Sequence, residues 1–141
     1  MNTSDLTFTT YLTFDGQCAE AMKFYQGIFG GELLLLPFDP RQMKVPESHL
    51  DKIMHSTLDI GTTKLMASDT LPGFNVRQGN AYTISIGLTD PEEATRIFHA
   101  LSVQGDVIMP LQDTFWNARY GQVQDRFGIQ WMMNCDLGAQ T

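Results

Sequence analysis

The chain nearly repeats itself at an offset of 73 residues. Thr10-Tyr11-Leu12-Thr13 leads into Glu20-Ala21, Phe24-Tyr25 and Ile28, and Thr83-Ile84-Ser85-Ile86 leads into Glu93-Ala94, Ile97-Phe98 and Leu101. Two strand-then-helix units in 141 residues imply like modules that share a core, because neither alone buries much apolar surface. The repeat predicts a pseudo-twofold fold with a cavity between its sheets.

Each copy reads as βαβββ. Residues 8–14 are β-branched and aromatic and stop at Asp15-Gly16, which predicts the first strand. Between positions 18 and 29, Ala21, Phe24, Tyr25, Ile28 and Phe29 fall on one helical face, and Gly30-Gly31 closes the helix. A strand over 32–36, an exposed loop over 37–48 and a hairpin of strands 53–60 and 63–68 complete the first module, about 7–69. Residues of about 70–79 read as a linker.

The second module, about 80–136, opens with a strand over 82–88. Asp90-Pro91-Glu92-Glu93 then supplies an N-cap acceptor, a proline at the first helical position and a glutamate placed as in a capping box. A strand over 106–109, a loop over 110–117 and a hairpin of 118–124 and 129–135 follow. Helical crossovers call for parallel neighbours and hairpins for antiparallel ones, so the fold class expected is α+β with two mixed sheets.

Composition narrows the function classes. A formal charge of −7 without a Lys/Arg cluster argues against nucleic acid. No apolar run approaches the ~20 residues of a membrane helix, and the N-terminus lacks a basic start and an apolar stretch, so a cytoplasmic location is expected. Cys18 and Cys135 are too few for a disulfide framework and read as packed thiols.

Further residues point to a family. Gln112-Asp113-Thr114-Phe115-Trp116, Arg119-Tyr120-Gly121, Asp125-Arg126-Phe127-Gly128 and Trp131-Met132-Met133-Asn134 closely resemble the signature of PhnB-like proteins. Tyr11 to Gly16, Phe24-Tyr25, Met54-His55 and Leu65-Met66-Ala67-Ser68-Asp69 extend the resemblance over roughly residues 10–135. It implies the vicinal oxygen chelate superfamily, which includes glyoxalase I, extradiol dioxygenases and the bleomycin and fosfomycin resistance proteins. The implied fold is a pair of βαβββ modules curling as half-barrels around a cup-shaped cavity, and the implied assembly is a homodimer. PhnB-like members also carry the label of a 3-demethylubiquinone methyltransferase, but no Gly-rich strand-to-helix turn suited to a nucleotide-like methyl donor is present here.

Metal-dependent members of that superfamily place His, Gln or Glu near the start of the first strand and inside the last strand of each module. The resemblance puts those positions at Thr10 and Thr83, and at or beside Met66 and Met132. Hydroxyls and thioethers are poor ligands for a hard divalent cation, so no metal or other cofactor is expected, although a divalent metal stays open.

His55 is the candidate catalytic residue, because alternation sets it on one face with Thr57 and Asp59, opposite Met54, Ser56 and Leu58. It reads as a general base or lone metal ligand, or as a half-buried histidine bonded to backbone. His49 and His99 are expected to be exposed. Phe115 and Trp116 read as a wall over an apolar ligand or as dimer packing, Arg119 as an anion fork or a partner of Asp113 or Asp125, and Trp131 as core. Ser68 and Asp69 read as polar contacts at a cavity rim, with Asp69 equally placed to cap a turn. Thr10, Leu12, Phe14, Thr83 and Ser85 are expected to line a largely apolar pocket. These residues predict a small-molecule-binding protein that sequesters its ligand or moves a proton. The alternatives are a metal-dependent lyase or dioxygenase with an atypical centre at His55 and Asp59 or Asp69, and a dimeric interaction protein with a collapsed cavity.

Overall fold

The structure is a computed structural model and describes residues 4–138. It divides into two compact units, residues 1–76 and 77–141.

In the first unit the elements run β1 (Thr10–Phe14), α1 (Cys18–Phe29), β2 (Glu32–Pro37), a short 3₁₀ turn at Glu47–His49, β3 (Ile53–Asp59) and β4 (Lys64–Asp69). They form one four-stranded mixed sheet in the order β1-β4-β3-β2, with only the β1–β4 pair parallel. That pair is joined through α1, as a parallel neighbour requires. One sheet face packs on α1: Phe14, Leu58 and Ala67 are buried with Ala21, Met22, Tyr25 and Ile28 of the helix. Burying Phe14, Leu58 or Met22 contributes on the order of 2–3 kcal/mol each.

The start of α1 has no local cap, since Gln17 makes no side-chain cap hydrogen bond. Asp69, at the far end of β4, serves instead: its Oδ1 accepts from the Cys18 backbone N–H at 3.0 Å and its Oδ2 from the Ile53 N–H at 2.8 Å. One carboxylate, 4% exposed, therefore ties the first helical turn to the start of β3.

The second unit repeats the plan with β5 (Ile84–Leu88), α2 (Pro91–Ser102), β6 (Asp106–Asp113), β7 (Ala118–Gln124) and β8 (Gln130–Asp136) in the order β5-β8-β7-β6. Asp90 caps α2 as the sequence predicts, accepting from Glu92 N–H at 3.0 Å and Glu93 N–H at 3.4 Å. Glu93 does not reach back to complete a capping box; its carboxylate pairs with Arg96, one turn along. The buried stripe of α2 is Ala94, Ile97, Phe98 and Leu101. Strand β6 runs through Pro110 to Asp113, beyond the expected loop boundary, with two register shifts against β7. It is an edge strand, where a residue without an N–H and a bulge are tolerated.

The two copies are not in one phase. The helices repeat at 73, Cys18–Phe29 becoming Pro91–Ser102. The strands before them repeat at 74, since Thr10 pairs with Leu65 where Ile84 pairs with Trp131. The difference lies in the connection: Asp15, Gly16 and Gln17 join β1 to α1, whereas Thr89 and Asp90 alone join β5 to α2. Thr83 is thus outside β5, and the residue equivalent to Thr10 is Ile84.

Candidate functional site

Each sheet has one face on its helix and one face free of it. In the first unit, register and alternation place Tyr11, Thr13, Leu34, Leu36, His55, Thr57, Met66 and Ser68 on the open face. Across the middle of this face one row reads Leu34, Thr57, Met66, Tyr11, and Leu36 stands opposite His55.

His55 is the centre of a polar set. Its Nδ1 is 3.0 Å from the Tyr11 hydroxyl and its Nε2 is 3.1 Å from Thr57 Oγ1. A neutral imidazole carries one ring proton, so in either tautomer it donates to one hydroxyl and accepts from the other. The Tyr11 ring stacks on the imidazole, with centroids 5.7 Å apart and planes 27° from parallel, which fixes the orientation of the histidine. Sequence reasoning misses Tyr11, because the helix offset of 73 carried into the strand points to its neighbour Thr10. Alternation away from buried Phe14 was the signal that identifies it.

The remaining candidates fall in several places. Phe14, expected to line the pocket, is 2% exposed and lies in the core. Thr10 and Leu12 share its side of β1, so Thr10 does not face His55. Asp69 is likewise turned to the helix side, where it caps α1, while Ser68 points to the open face beside Thr13. Asp59 shares the face of His55 but lies at the strand end, opposite Glu32 and Lys64, with its Oδ1 accepting from Gly61 N–H. His49 is half-buried rather than exposed: its Nε2 is 3.0 Å from the Thr70 carbonyl and its ring packs on Phe38. His99 is exposed as expected.

On the open face of the second unit, Ser85, Met109, Gln112, Tyr120, Gln122, Met132 and Asn134 stand together. Gln122 Nε2 donates to the Tyr120 hydroxyl at 2.8 Å, and that hydroxyl donates to Met132 Sδ at 3.8 Å. Above them the β6–β7 turn presents Phe115, 96% exposed, and Trp116, 56% exposed. The two rings meet edge to face at 4.9 Å, and Trp116 meets Tyr120 edge to face at 6.4 Å. The turn is held by Thr114, whose N–H and Oγ1 both donate to the Ala118 carbonyl, and by Asn117 at φ 65°.

Arg119 is turned the other way. It alternates with Tyr120 and lies toward α2, where Nη1 donates to the Pro91 carbonyl and Thr95 Oγ1, while Nε and Nη2 donate to Asp113. The guanidinium holds the Asp113 carboxyl below its ordinary range. Trp131 is buried and donates its indole N–H to Asp125 Oδ2 at 2.8 Å. Both cysteines are buried free thiols, and burial raises the Cys18 pKa to about 11.

With β1 and β5 in their observed register, the open-face residues near the strand starts are Tyr11 and Ser85, and those on the last strands are Met66 and Met132. Phenol, hydroxyl and two thioethers do not match the imidazole and carboxylate preferences of a hard divalent cation. Among the described residues no group of three or more His, Cys, Asp or Glu is placed to hold a metal. No helix is long and apolar enough to cross a membrane, among the same residues.

Comparison with known proteins agrees with this architecture. The family described as 3-demethylubiquinone-9 3-methyltransferase matches residues 6–134. Protein YjdN of Escherichia coli K12 is 30% identical over 143 aligned residues, covering 92% of this chain and 95% of its own length. The crystal structure of PA1353 from Pseudomonas aeruginosa is 42% identical with a TM-score of 0.83, covering 93% of this chain and 98% of that one. A Bacillus cereus PhnB protein, titled a putative 3-demethylubiquinone-9 3-methyltransferase, shares the fold at 24% identity and a TM-score of 0.77, covering 92% and 98%. The fold also extends to a glyoxalase/bleomycin resistance/dioxygenase family enzyme and to FosX. With two βαβββ units, a fold shared with the PhnB protein, the glyoxalase/bleomycin resistance/dioxygenase family enzyme and FosX, and a family match over nearly its whole length, the chain belongs to the family described as 3-demethylubiquinone-9 3-methyltransferase.

Proposed function

We propose that the protein binds a small organic molecule against its open sheet faces, works without the four-ligand metal centre of its superfamily, and uses His55 to accept or return a proton. The observation that carries this reading is the Tyr11–His55–Thr57 set, flanked on the same face by the apolar side chains of Leu34, Leu36 and Met66. Apolar walls with a few convergent polar groups are what a small-molecule site needs. An imidazole held between two hydroxyls takes a proton at one nitrogen while giving one up at the other, which is general acid–base chemistry without a metal.

The methyltransferase in the family's description is not carried to this chain as an activity. The sequence has no Gly-rich strand-to-helix turn of the kind that holds a nucleotide-like methyl donor. Here the start of α1 already holds the Asp69 carboxylate and the start of α2 the Asp90 carboxylate. The family resemblance also supports a homodimer. Phe8, Phe74 and Tyr82, each largely exposed, supply apolar surface for one, and sedimentation equilibrium giving a monomer would remove that part of the reading.

The test is a panel of small uncharged and anionic aromatics followed by backbone amide chemical shifts. Perturbations are expected to cluster at Tyr11, His55, Thr57 and Met66, and to weaken in His55→Ala. A panel that leaves those signals unmoved in the wild type sinks the binding reading. Metal analysis of protein purified without chelators is expected to give well under one divalent ion per chain; a stoichiometric, tightly held ion would overturn the metal-free part.

A further inference from the structure

We infer that the second unit's open face, with the Phe115–Trp116 turn above it, accepts an uncharged planar aromatic molecule and discriminates against anions. This rests on the small-molecule reading and adds the chemical class of the ligand. The aromatic part follows from Trp116, which is half-exposed and meets both Phe115 and Tyr120 edge to face, leaving ring surface for a flat guest. The turn beneath it is fixed by backbone and Thr114 hydrogen bonds, so little ordering cost attends binding.

The charge part follows from what stands on the face. Gln112, Gln122, Asn134, Ser85 and the Tyr120 hydroxyl offer donors and acceptors without net charge. The charged residues in register with this face are Asp106, opposite Gln124 at one end, and Asp136, opposite Ala118 at the other, both acidic. The guanidinium of Arg119, the residue before Tyr120 on β7, is committed on the helix side to Asp113, Pro91 and Thr95. A carboxylate or phosphonate brought here gives up water and meets amides and acids instead of a cation. An amide or ketone edge finds partners of its own kind.

The experiment uses a matched pair of probes, 2-naphthamide and 2-naphthoate, which share a ring system and differ in charge. The chain has two tryptophans, so the proton–nitrogen spectrum has two indole signals. That of Trp131, buried and bonded to Asp125, is an internal control for that of Trp116. The expected result is a saturable shift of the Trp116 signal with 2-naphthamide, a midpoint at least about tenfold higher for 2-naphthoate, and loss of the naphthamide response in Tyr120→Ala. Arg119→Lys is expected to leave the naphthamide midpoint unchanged. Equal or tighter binding of 2-naphthoate overturns the charge inference while leaving a small-molecule site in place. Silence of the Trp116 signal to both probes, or a signal that moves on simple dilution because a second copy covers the turn, overturns the site itself.

Discussion

Asp69 separates a structural reading of the site's edge from a binding one. Its two oxygens accept from two backbone donors, Cys18 N–H and Ile53 N–H, at a position 4% exposed. Asp69→Ala strands both donors away from water at about 1–3 kcal/mol each, a loss of about 2–6 kcal/mol. That is a large share of the roughly 5–15 kcal/mol that holds an ordinary domain folded. Asp69→Asn keeps one acceptor and turns an amide N–H toward the other donor, so about half the loss is expected. Asp90→Ala, which removes the exposed local cap of α2, costs about 1 kcal/mol and serves as the comparison.

Urea unfolding followed by far-ultraviolet circular dichroism and by tryptophan fluorescence is the assay. Both tryptophans, Trp116 and Trp131, belong to the second unit, whereas Asp69 belongs to the first. Coincident shifts in both signals mean that the units unfold together; a shift in circular dichroism alone means that they unfold separately. A stability loss below about 0.5 kcal/mol in Asp69→Ala, accompanied by weaker ligand binding, would refute the capping argument and return Asp69 to the cavity rim.

The other predictions concern a thiol, a pair of turns and the histidine. Burial raises the Cys18 thiol from its ordinary 9.0 to about 11, with Asp69 adding to the rise and the Ser56 hydrogen bond opposing it. The native state therefore keeps a proton that the unfolded chain releases, so roughly 3 kcal/mol of stability, present below pH 9, is lost as pH rises toward 11. Cys18→Ala is expected to remove that part of the alkaline slope, and an unchanged slope would contradict the burial argument. Gln104, at φ 58°, takes a positive φ just past α2, as Gly30 and Gly31 do just past α1, so Gln104→Gly is expected to raise stability by about 0.5–1 kcal/mol in thermal unfolding. Gly31→Ala and Gly105→Ala are expected to lower it by more, because a Cβ at either site meets the carbonyl of Asp59 or Gln124. Tyr11→Phe leaves His55 Nδ1 without its hydroxyl partner, and long-range proton–nitrogen spectra are expected to show a changed tautomer ratio; an identical ratio would mean that the 3.0 Å contact does not organise the ring.

Much of the fold is legible in the sequence because its signals are local. The apolar stripes of both helices, the Asp90 cap and the Gly30-Gly31 stop each act within a few residues. The site is less legible because it depends on strand phase. One residue more in the β1–α1 connection than in the β5–α2 connection slips the strand repeat from 73 to 74, and a slip of one exchanges the two faces of a strand. Thr10 and Phe14 thereby move to the helix side, and Tyr11 takes the open one. Arg119 escaped for a related reason: Gly121, its neighbour on the same side, packs under Phe98 without a side chain to announce a buried face. The Asp69 cap joins residues 51 apart, beyond any local pattern.

Once the copies are aligned by register, their open faces are seen to differ in kind at the same positions. Tyr11, His55, Thr57 and Met66 in the first unit correspond to Ser85, Tyr120, Gln122 and Met132 in the second. Both keep a hydrogen bond between residues two apart on the third strand of the unit's own βαβββ order, His55 to Thr57 and Tyr120 to Gln122. In the first that bond belongs to an imidazole, whose two ring nitrogens can give and accept a proton; in the second it belongs to a phenol and an amide. A duplicated scaffold needs an imidazole on only one copy to relay a proton, which frees the other to recognise shape. The division assigns different outcomes to the two faces: His55→Ala is expected to remove any turnover while sparing the Trp116 response to 2-naphthamide, whereas Tyr120→Ala is expected to remove that response. If His55→Ala abolishes the Trp116 response as well, the two faces do not act as separate recognition and proton-transfer surfaces.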